Sequence, residues 1–491
     1  MSSLSRREFL LLTGVTVGSF PWQQMRAERL GIQVNDVHSQ LNLTTVKSIS
    51  KPRSEKELLK VLRDTKHSRS AIAICGARHS AGGQEFLTDG VLLDVSDLNE
   101  VLHFDSEAGL VIVQGGIHWD KLQDYLASQR QSGKSKSWAV NQKQTGLNTL
   151  TVSGTAGANA HGQGLALKPF VGDIESFRLV NNDGQKLNCS RKENSELFSL
   201  VIGGYGLFGI VLDMTLKLVP RQKVKRLVKL IPLSELGTEY DAALARGFRY
   251  GHYQINIDNT SPNYLTDGYF SAYEPVANDT PGNKGAEVTD DQWLALVGLA
   301  HTNRSQAFTQ YKNIVLGFNG AVDWADVWQN NFYMPDYHAK LDAVSKSPKA
   351  SEVLTEFFMP MSQVQNFLLK ARDYFQLNKI DVIYSVIRFI AKDDETFLPW
   401  ARERYVCVIF NFHTVHATAD IAKTMDAYSF LIDKVIEANG TFYLTYQHVA
   451  NKQQLLACYP QFEKFLALKS KYDPTEIFQS DWYRWNRKLL R

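Results

Sequence analysis

The sequence predicts an α+β protein with two domains, and three observations support this prediction. The chain has 491 residues, which is more than a single hydrophobic core usually organises. Apolar runs of strand length alternate with amphipathic stretches of helical period along most of the chain. Three glycine-rich segments lie among these elements, at residues 76–84, 145–164 and 203–220.

The elements of the first part follow from local patterns. Ser54 and Glu57 form a capping-box pattern, which predicts a helix that continues through Leu58–Leu62. Three short apolar runs predict strands, at Ala71–Cys75, Val91–Val95 and Gly109–Gln114. The stretch Trp119–Leu126 predicts a second helix, because its large apolar residues recur on one face.

The segment Gly76–Gln84 reads GARHSAGGQ and follows the first predicted strand directly. A strand that opens into a glycine-rich turn presents several backbone N–H groups in one concavity, which suits a phosphate or pyrophosphate. Its glycines permit the close backbone approach that such a ligand needs. His79 lies in the middle of the turn, where its imidazole would meet whatever the phosphate carries.

The second glycine-rich segment, Thr145–Gly164, consists almost entirely of small residues and ends in His161 and Gly162. Residues this small build no helix or strand that packs well by itself. We therefore expect this segment to be irregular backbone that wraps closely around a flat ligand.

The third segment, Gly203–Pro220, contains a GxGxxG match that invites a nicotinamide-type interpretation. That interpretation requires a helix after the glycines. Instead, apolar residues alternate with less apolar ones from Ile210 to Leu218, which is the period of a half-buried strand. The segment is therefore predicted to be a strand that follows a glycine-rich turn.

The second part of the chain alternates strand and helix patterns. Strands are predicted at Leu354–Phe358, Val382–Ile390, Tyr405–Phe412 and Thr441–Thr445. Helices are predicted at Ser362–Phe375 and Ile421–Asn439. Ser271–Gly285 is rich in Pro, Gly and Asn and predicts a surface loop. This alternation indicates an α/β domain, a sheet with helices on one side.

Composition argues against several classes of protein. The formal net charge of +3 is too near neutral to indicate a nucleic-acid partner. No segment approaches the roughly 20 apolar residues of a spanning helix, so no stable membrane span is predicted. The four cysteines form no CxxC pair or zinc set, so no metal site is predicted. Cys75 and Cys407 lie in apolar runs and are predicted to be buried free thiols.

The N-terminus carries the pattern of a targeting signal. Arg6 and Arg7 precede a short, weakly apolar stretch, Phe9–Phe20, as in a twin-arginine export signal. The alternative is a basic arm or a first helix. We expect residues 1–27 to be a signal region that directs export of the folded protein to the periplasm.

These segments together resemble a known family. GARHSAGGQ resembles the GRGHS or GGRHSxGGQ turn of the vanillyl-alcohol oxidase type flavoproteins, which share the PCMH-type FAD-binding domain. SGTAGANAHG, residues 153–162, resembles their second flavin loop, and residues 173–211 resemble the closing half of the domain. DPTEIFQSDWYRW, residues 473–485, resembles the ending of the sugar-lactone oxidase and decaprenylphosphoryl-ribose oxidase branches.

The resemblance implies a domain division and a set of cofactor contacts. It implies an FAD-binding domain of two subdomains at 43–222, a substrate cap domain at 223–450, and a C-terminal return to the FAD domain at 451–491. The residues whose positions match the flavin loops are implied to bind FAD: Gly76, Ala77, Arg78, His79, Ser80, Gln84, Ser153, Gly154, Thr155, Ala158, His161, Gly162, Gly206, Ile210 and Val211.

The resemblance also implies an oxidoreductase that takes a hydride from a C–OH group, as in a sugar, lactone, alditol or other alcohol. A base must take the hydroxyl proton as the hydride leaves, and a cation stabilises the reduced flavin. Arg388, in the run VIRF, resembles the arginine of the EVRF-type motif of sugar-lactone and alditol oxidases, but Val386 stands where that motif has glutamate. Tyr446 and His448 are the other candidate catalytic residues, although the decaprenylphosphoryl-ribose oxidase branch has lysine at about Tyr446.

In relatives with GRGHS-type turns the histidine bonds covalently to the flavin, so His79 is implied to attach FAD. A second bond through cysteine is excluded, because Thr145–Gly164 contains no cysteine. The partners implied are a small-molecule substrate and an electron acceptor, which is oxygen, a quinone or a cytochrome. Two alternatives stay open: an amine-oxidising enzyme like cytokinin dehydrogenase, and a flavin-fold binding protein that has lost catalysis.

Overall fold

The computed structural model describes residues 31–131, 137–145, 147–285, 288–329 and 337–491. The predicted signal region, residues 1–27, lies outside them. The described N-terminal part forms these elements: β1 (Ile32–Val34), β2 (Thr44–Val46), β3 (Ser48–Ser50), α1 (Glu55–His67), β4 (Ile72–Cys75), β5 (Val91–Asp94), β6 (Val101–Asp105), β7 (Leu110–Gln114), α2 (Trp119–Gln131), β8 (Trp138–Val140), α3 (Val152–Gly157), β9 (Ile174–Val180), β10 (Lys186–Ser190), α4 (Ser195–Val201) and β11 (Ile210–Pro220).

The middle part forms a second series of elements: β12 (Lys223–Pro232), α5 (Leu236–Ala245), β13 (Tyr250–Ile255), β14 (Asp267–Val276), α6 (Asp290–Thr302), α7 (Arg304–Gly317), β15 (Val322–Trp324), α8 (Ala325–Trp328), α9 (Tyr337–Ser345), β16 (Ala350–Met359), α10 (Val364–Asn378), β17 (Val382–Ile390), β18 (Tyr405–Val415), α11 (Thr418–Glu437) and β19 (Thr441–Phe442). The chain ends in three helices: α12 (Lys452–Cys458), α13 (Phe462–Tyr472) and α14 (Asp481–Leu489).

A small parallel sheet, in the order β3-β5-β4, forms the first layer of the N-terminal part. The predicted helix α1 packs its buried residues Leu58 and Leu62 against this sheet. Ser54 caps α1 by accepting a hydrogen bond from the backbone N–H of Glu57, as predicted. The carboxylate of Glu57 accepts from the backbone N–H of Arg53 at 2.8 Å instead, so the predicted capping box is only half formed.

A larger antiparallel sheet, in the order β10-β9-β11-β7-β6, forms the second layer, and β8 pairs with β11 at one end. The strand prediction after Gly209 is confirmed, since β11 spans eleven residues at the centre of this sheet. Helices α2 and α3 bury Trp119 and Val152 in the core beneath it.

The helix α3 corrects the prediction that Thr145–Gly164 contains no regular structure. Thr151 caps α3 by accepting a hydrogen bond from the N–H of Gly154. The hydroxyl of Thr155 accepts a hydrogen bond from the indole Nε1 of Trp119 at 3.0 Å. A side-chain cap and close packing therefore stabilise one short helical stretch despite its poor intrinsic propensity.

The middle part is built on one sheet of eight strands, in the order β15-β12-β14-β13-β17-β18-β16-β19. The predicted strands at residues 354–358, 382–390 and 405–412 are confirmed as β16, β17 and β18. The predicted helices are confirmed as α10 and α11. The strand predicted at Thr441–Thr445 is shorter, because only Thr441 and Phe442 pair with β16.

Two predictions for the middle part are wrong. The loop predicted at Ser271–Gly285 begins later, because residues 271–276 belong to β14, which pairs with β12 over its whole length. Helices also cover both faces of the sheet and not one. Phe357 packs against Phe367 of α10 on one face, whereas Tyr269 contacts Tyr311 of α7 on the other.

The C-terminal segment joins the edge of the small parallel sheet. The N–H of Ile72 donates to the carbonyl of Ile477 at 2.7 Å, and Phe478 bridges to Ile72 in parallel register. The carboxylate of Asp473 accepts from the N–H groups of Ile477 and Phe478, which fixes the turn before this contact. The last residues therefore pack on the N-terminal part of the molecule.

All four cysteines are buried and free. No helix among the described residues is both long enough and apolar enough to cross a bilayer.

Candidate functional site

A cleft opens where the two N-terminal sheets meet the eight-stranded sheet. Its empty space is about 1270 Å³ when its open mouth is counted. The lining comes from the turn after β4, from α3, from residues 205–211, from Leu354 of β16 and from Tyr443–Tyr446.

Most of the predicted cofactor residues line this cleft together. They are Gly76, Ala77, Arg78, His79, Ser80, Gln84, Ser153, Gly154, Thr155, Ala158, Gly206, Ile210 and Val211. Two of the predicted residues do not line it. His161 points to the carboxylate of Glu356, and Gly162 packs against the backbone of Lys143.

The residues present fit FAD, because the backbone around the cleft is shaped for close approach. Arg78 adopts a positive φ of 57° in the turn, and Gly206 adopts one of 74°. Apart from its chain neighbours and the backbone of its own helix, no described atom lies within 4 Å of the position that a Cβ would take at Gly157. A Cβ at Gly76 would instead lie 2.1 Å from the hydroxyl oxygen of Thr151, so only glycine fits there. The turn and α3 would hold the dinucleotide between them.

His79 is held at the mouth of the turn by two polar neighbours. Its Nδ1 lies 3.0 Å from Nε2 of His38, and its Nε2 lies 3.2 Å from the hydroxyl of Thr149. Burial, and then the neighbouring His38, lower the pKa of His79 well below its usual value. The imidazole is therefore neutral at physiological pH, and one ring nitrogen keeps its lone pair.

Glu356, on β16, is the centre of a buried polar cluster beside the cleft. One carboxylate oxygen accepts from the hydroxyl of Tyr446 at 2.7 Å, and the other accepts from Nε2 of His161 at 2.8 Å. The thiol of Cys407 donates to the second oxygen at 3.5 Å. Burial alone would raise the pKa of Glu356, but His161, Tyr446 and the charge of Arg388 together bring it below its usual value. Glu356 is therefore a carboxylate, although it is only 1% exposed.

Tyr446 was predicted as a catalytic residue, and it lines the cleft. Burial, and then Glu356, raise the pKa of Tyr446 well above its usual value. Its hydroxyl is therefore protonated and engaged with the carboxylate. This makes Tyr446 a poor base and a good positioning group.

Arg388 lies on β17, directly opposite Cys407 of β18, which in turn faces Phe358 of β16. The side chain is 6% exposed. Within the part of the chain that the structure describes, its Nε and Nη1 have no hydrogen-bond partner. A buried guanidinium with two unused donors is costly unless an anion or a polar ligand meets it.

Lys143 brings a second positive charge to Arg388. It is 1% exposed, and its Nζ donates to the side-chain oxygen of Asn148 at 2.6 Å. Burial, and then the charge of Arg388, lower the pKa of Lys143 to about 8. Sequence reasoning missed both Lys143 and Glu356. The signal for Glu356 was an acidic residue inside an apolar strand run, LTEFF.

Several other polar side chains share this face of the eight-stranded sheet. Gln254 of β13 lies opposite Val386, in the cross-strand row that ends at Glu356. Asn411 lies opposite Leu354, which lines the cleft. Within the described residues, His252, Gln254 and Asn411 each keep a buried side-chain nitrogen or oxygen without a partner. Buried polar groups normally have partners, so this face is arranged for a polar ligand.

The structure places His448 elsewhere. Its Nε2 contacts the carbonyl of Gly82, and its ring meets the edge of Trp485 of α14 at 5.3 Å between centroids. Burial lowers the pKa of His448 to about 4, so this ring is neutral. His448 therefore connects the turn after β4 to the C-terminal helix α14. It does not line the cleft.

Two family models match the chain. One, described as FAD binding domain, matches residues 46–190, and the other, described as D-arabinono-1,4-lactone oxidase, matches residues 337–486. The first covers the turn, α3 and most of the two N-terminal sheets. The second covers Glu356, Arg388, Tyr446 and the C-terminal return.

Comparison with curated proteins gives relatives along almost the whole chain. The chain is 23% identical to the L-gulono-1,4-lactone dehydrogenase of Mycobacterium tuberculosis over 444 residues, which is 89% of this chain and 95% of the relative. It is 22% identical to the L-gulonolactone oxidase of Bos taurus over 87% of this chain and 92% of the relative.

Cytokinin dehydrogenase 3 of Oryza sativa subsp. japonica is 30% identical, but over only 33% of this chain and 30% of the relative. The two family models match the parts of the chain that supply most of the cleft and the buried cluster of Glu356 and Arg388. The chain therefore carries a match to an FAD binding domain and a match to D-arabinono-1,4-lactone oxidase, and its resemblance to the vanillyl-alcohol oxidase type flavoproteins, in the branch that contains the sugar-lactone oxidases, is confirmed.

Proposed function

We propose that this FAD-dependent oxidoreductase oxidises a hydroxyl-bearing carbon of a sugar lactone. The observation that carries this proposal is a set of buried polar groups on one face of the eight-stranded sheet, which have no partner among the described residues and belong to His252, Gln254, Arg388 and Asn411. They comprise both donors and acceptors, which suits a neutral ligand with several hydroxyl groups and a carbonyl.

FAD supplies the hydride acceptor when it is bound. The residues of the chain orient the substrate and stabilise charge around it. Arg388 and Lys143 are two buried positive charges close enough to influence each other, and such charges stabilise negative charge that develops during oxidation. Glu356 holds Tyr446 and His161 in fixed orientations at the edge of the cleft.

The test is anaerobic reduction of the flavin by a panel of substrates. L-Gulono-1,4-lactone and D-arabinono-1,4-lactone should bleach the visible flavin absorption, whereas an isopentenyl-adenine amine should leave it unchanged. Bleaching by the amine alone would show a cytokinin-dehydrogenase-type enzyme. A stable yellow colour with every compound would favour a flavin-fold binding protein without catalysis. Mixing the reduced protein with oxygen, a quinone or a cytochrome then identifies the class of electron acceptor.

We further propose that His79 attaches FAD covalently at the methyl carbon of the flavin's dimethylbenzene edge. Its neutral imidazole supports this, since an unprotonated ring is the nucleophilic form of histidine. A C–N bond would replace one C–H bond of that methyl carbon and the N–H bond of the His79 imidazole, and both protons would be released. The electron pair of the broken C–H bond would pass to the electron acceptor used in turnover.

Denaturation in acid tests this attachment without any activity measurement. Wild-type protein and His67→Ala, a control at an exposed histidine of α1, should precipitate yellow. His79→Ala should release its flavin into the supernatant. Release from the wild-type chain would show that the flavin is bound non-covalently.

Three further expectations remain proposals. Residues 43–222 with 451–491 are proposed to form one FAD-binding unit, and residues 223–450 to form the cap. Arg6 and Arg7 are proposed to direct export of the folded holoprotein to the periplasm through a twin-arginine signal. Replacing both arginines by lysine should then leave flavin-loaded protein in the cytoplasm, and unchanged localisation would show that the pair is only a basic arm.

A further inference from the structure

A second cluster of ligating side chains lies on the same face of the eight-stranded sheet. His301 comes from the last turn of α6, Glu352 from β16 and His413 from β18. Nδ1 of His413 lies 3.1 Å from Oε1 of Glu352, and Nε2 of His301 lies 3.6 Å from the same oxygen. The two imidazole rings are nearly perpendicular, with centroids 4.6 Å apart. One atom from each residue lies within 4.8 Å of the others.

The hydrogen bonds of this cluster are incomplete. The side chains of His301 and Glu352 are 3% and 4% exposed. Within the described residues, neither ring nitrogen of His301 has a hydrogen-bond partner, and neither has Oε2 of Glu352. An imidazole always carries at least one N–H and needs a partner when buried. Nδ1 of His413 and Oε1 of Glu352 contact each other, but one nitrogen of His301 faces this pair without a hydrogen bond, so the cluster can take up a further ligand-binding group.

Two of the three separations between these atoms are close to those expected around a tetrahedral metal ion. Zinc binds imidazole nitrogen and carboxylate oxygen at about 2.0–2.2 Å, so two ligands of a tetrahedron lie roughly 3.3–3.5 Å apart. The separations of 3.1 Å and 3.6 Å around Glu352 lie on either side of that value. Nε2 of His413, the nitrogen that does not face Glu352, lies 3.2 Å from the hydroxyl of Ser347. Such an outer hydrogen bond orients a metal-binding imidazole.

The cluster around Glu356 differs, because its carboxylate oxygens already accept hydrogen bonds. His161, Glu356 and Cys407 also converge, but both oxygens of Glu356 accept hydrogen bonds from Tyr446, His161 and Cys407. That set is satisfied by its own protons.

We propose that His301, Glu352 and His413 bind one divalent transition-metal ion of the zinc class. Two imidazoles and one carboxylate form a set with an open fourth position for water. The ion would connect the end of α6 to β16 and β18. It would lie on the face of the eight-stranded sheet that also carries His252, Gln254 and Arg388. It would therefore hold the helical layer of α6 against the substrate side of the cap. This site is independent of which substrate the enzyme oxidises.

The experiment is a zinc titration of the chelator-treated holoprotein by calorimetry, with the metal content of the dialysed complex measured in parallel. Wild-type protein should bind one equivalent of Zn²⁺, and binding should raise Tm. His301→Gln and His413→Gln should lose that equivalent. Cys407→Ala, in the other cluster, and His67→Gln, on the surface, should keep it.

Three results would overturn the proposal: no zinc bound by wild type, one equivalent retained by His301→Gln, or an equivalent lost by Cys407→Ala. The visible flavin spectrum shows whether each variant has folded. If His301→Gln fails to fold, the wild-type protein alone decides the matter. Its Tm must then fall after chelation and recover when Zn²⁺ is added back.

Discussion

Among single residues, Arg388 makes the sharpest claim on activity. The side chain is buried, and among the described residues its Nε and Nη1 have no hydrogen-bond partner, so this charge is available to a ligand. Arg388→Ala should lower kcat by about 10²–10³-fold, which is typical for loss of one preorganised charge stabiliser. Arg63→Ala, at an exposed arginine of α1, is the control and should leave kcat unchanged. Normal turnover in Arg388→Ala would remove this residue from the site.

Lys143 should give the enzyme an alkaline limit. Its lowered pKa, about 8, means that the ammonium next to Arg388 loses its charge above that pH. If this charge stabilises the transition state, kcat should fall as pH rises through about 8 and remain constant below it. Lys143→Arg keeps the charge at all accessible pH values and should abolish this fall. A profile of Lys143→Arg that matches the wild type would assign the alkaline limit to another group.

Sequence patterns predicted the flavin-side residues far better than the substrate-side residues. The turn Gly76–Ser80 and α3 are contiguous segments, so their motifs are visible in the sequence. Glu356, His161 and Lys143 meet only after distant strands pair, and no local spacing signals such a meeting. The absence of glutamate at Val386 pointed away from a lactone. The structure instead puts a buried carboxylate in the same cross-strand row, at Glu356.

At the scale of elements, the turn that follows α13 is held together by a buried ion pair. Lys469 and Asp473 form a fully buried ion pair, and Asp473 also accepts two backbone N–H groups. Asp473→Ala would leave Lys469 buried and unpaired, which costs about 3–5 kcal/mol of the free energy of unfolding.

A matched control exists on α1. Lys60 and Asp64 have the same spacing and the same residue types, but both are exposed. Asp64→Ala should leave Tm unchanged, because solvent screens a surface pair. Equal unfolding curves for Asp473→Ala and Asp64→Ala would show that burial contributes nothing at residue 473.

Elements with clean periodicity were predictable, and elements stabilised by tertiary contacts were not. β11 and β17 alternate or run apolar over their full length and were recognised. The strand β14 was hidden because a Pro-, Gly- and Asn-rich tail follows it directly. The helix α3 has poor intrinsic propensity and exists because Thr151 caps it and Trp119 packs over it.

At the scale of the whole molecule, buried histidines should make stability depend on pH. Burial lowers the pKa of His38, His301 and His448 to about 4 each. In the unfolded chain these groups titrate near 6.5. Between about pH 6.5 and about pH 4 the unfolded state therefore binds protons that the folded state does not bind. The free energy of unfolding should therefore fall as pH drops from about 6.5 to about 4, by up to roughly 3 kcal/mol for each group.

Thermal unfolding of chelator-treated protein checks this trend. Tm is measured from about pH 7.5 to about pH 4.5 in steps of roughly one unit. His448→Gln removes one of the three groups and should flatten the decline of Tm. A decline that runs parallel to the wild type would show that His448 binds protons equally in both states.

One contact sets the order in which the molecule can mature. The side chain of Gln84 donates to the carbonyls of Leu444 and Tyr446, and the N–H of Ala81 donates to the carbonyl of Thr445. A Cβ at Gly82 would lie 2.2 Å from the carbonyl oxygen of Tyr446, so the two segments touch through bare backbone. The turn that carries His79 is therefore completed by residues made some 360 positions later. Nearly the entire polypeptide must therefore be synthesised and must leave the ribosome before this turn can reach its final form. Cofactor capture is then a late, post-translational event, and a truncated chain that ends before residue 444 should emerge colourless.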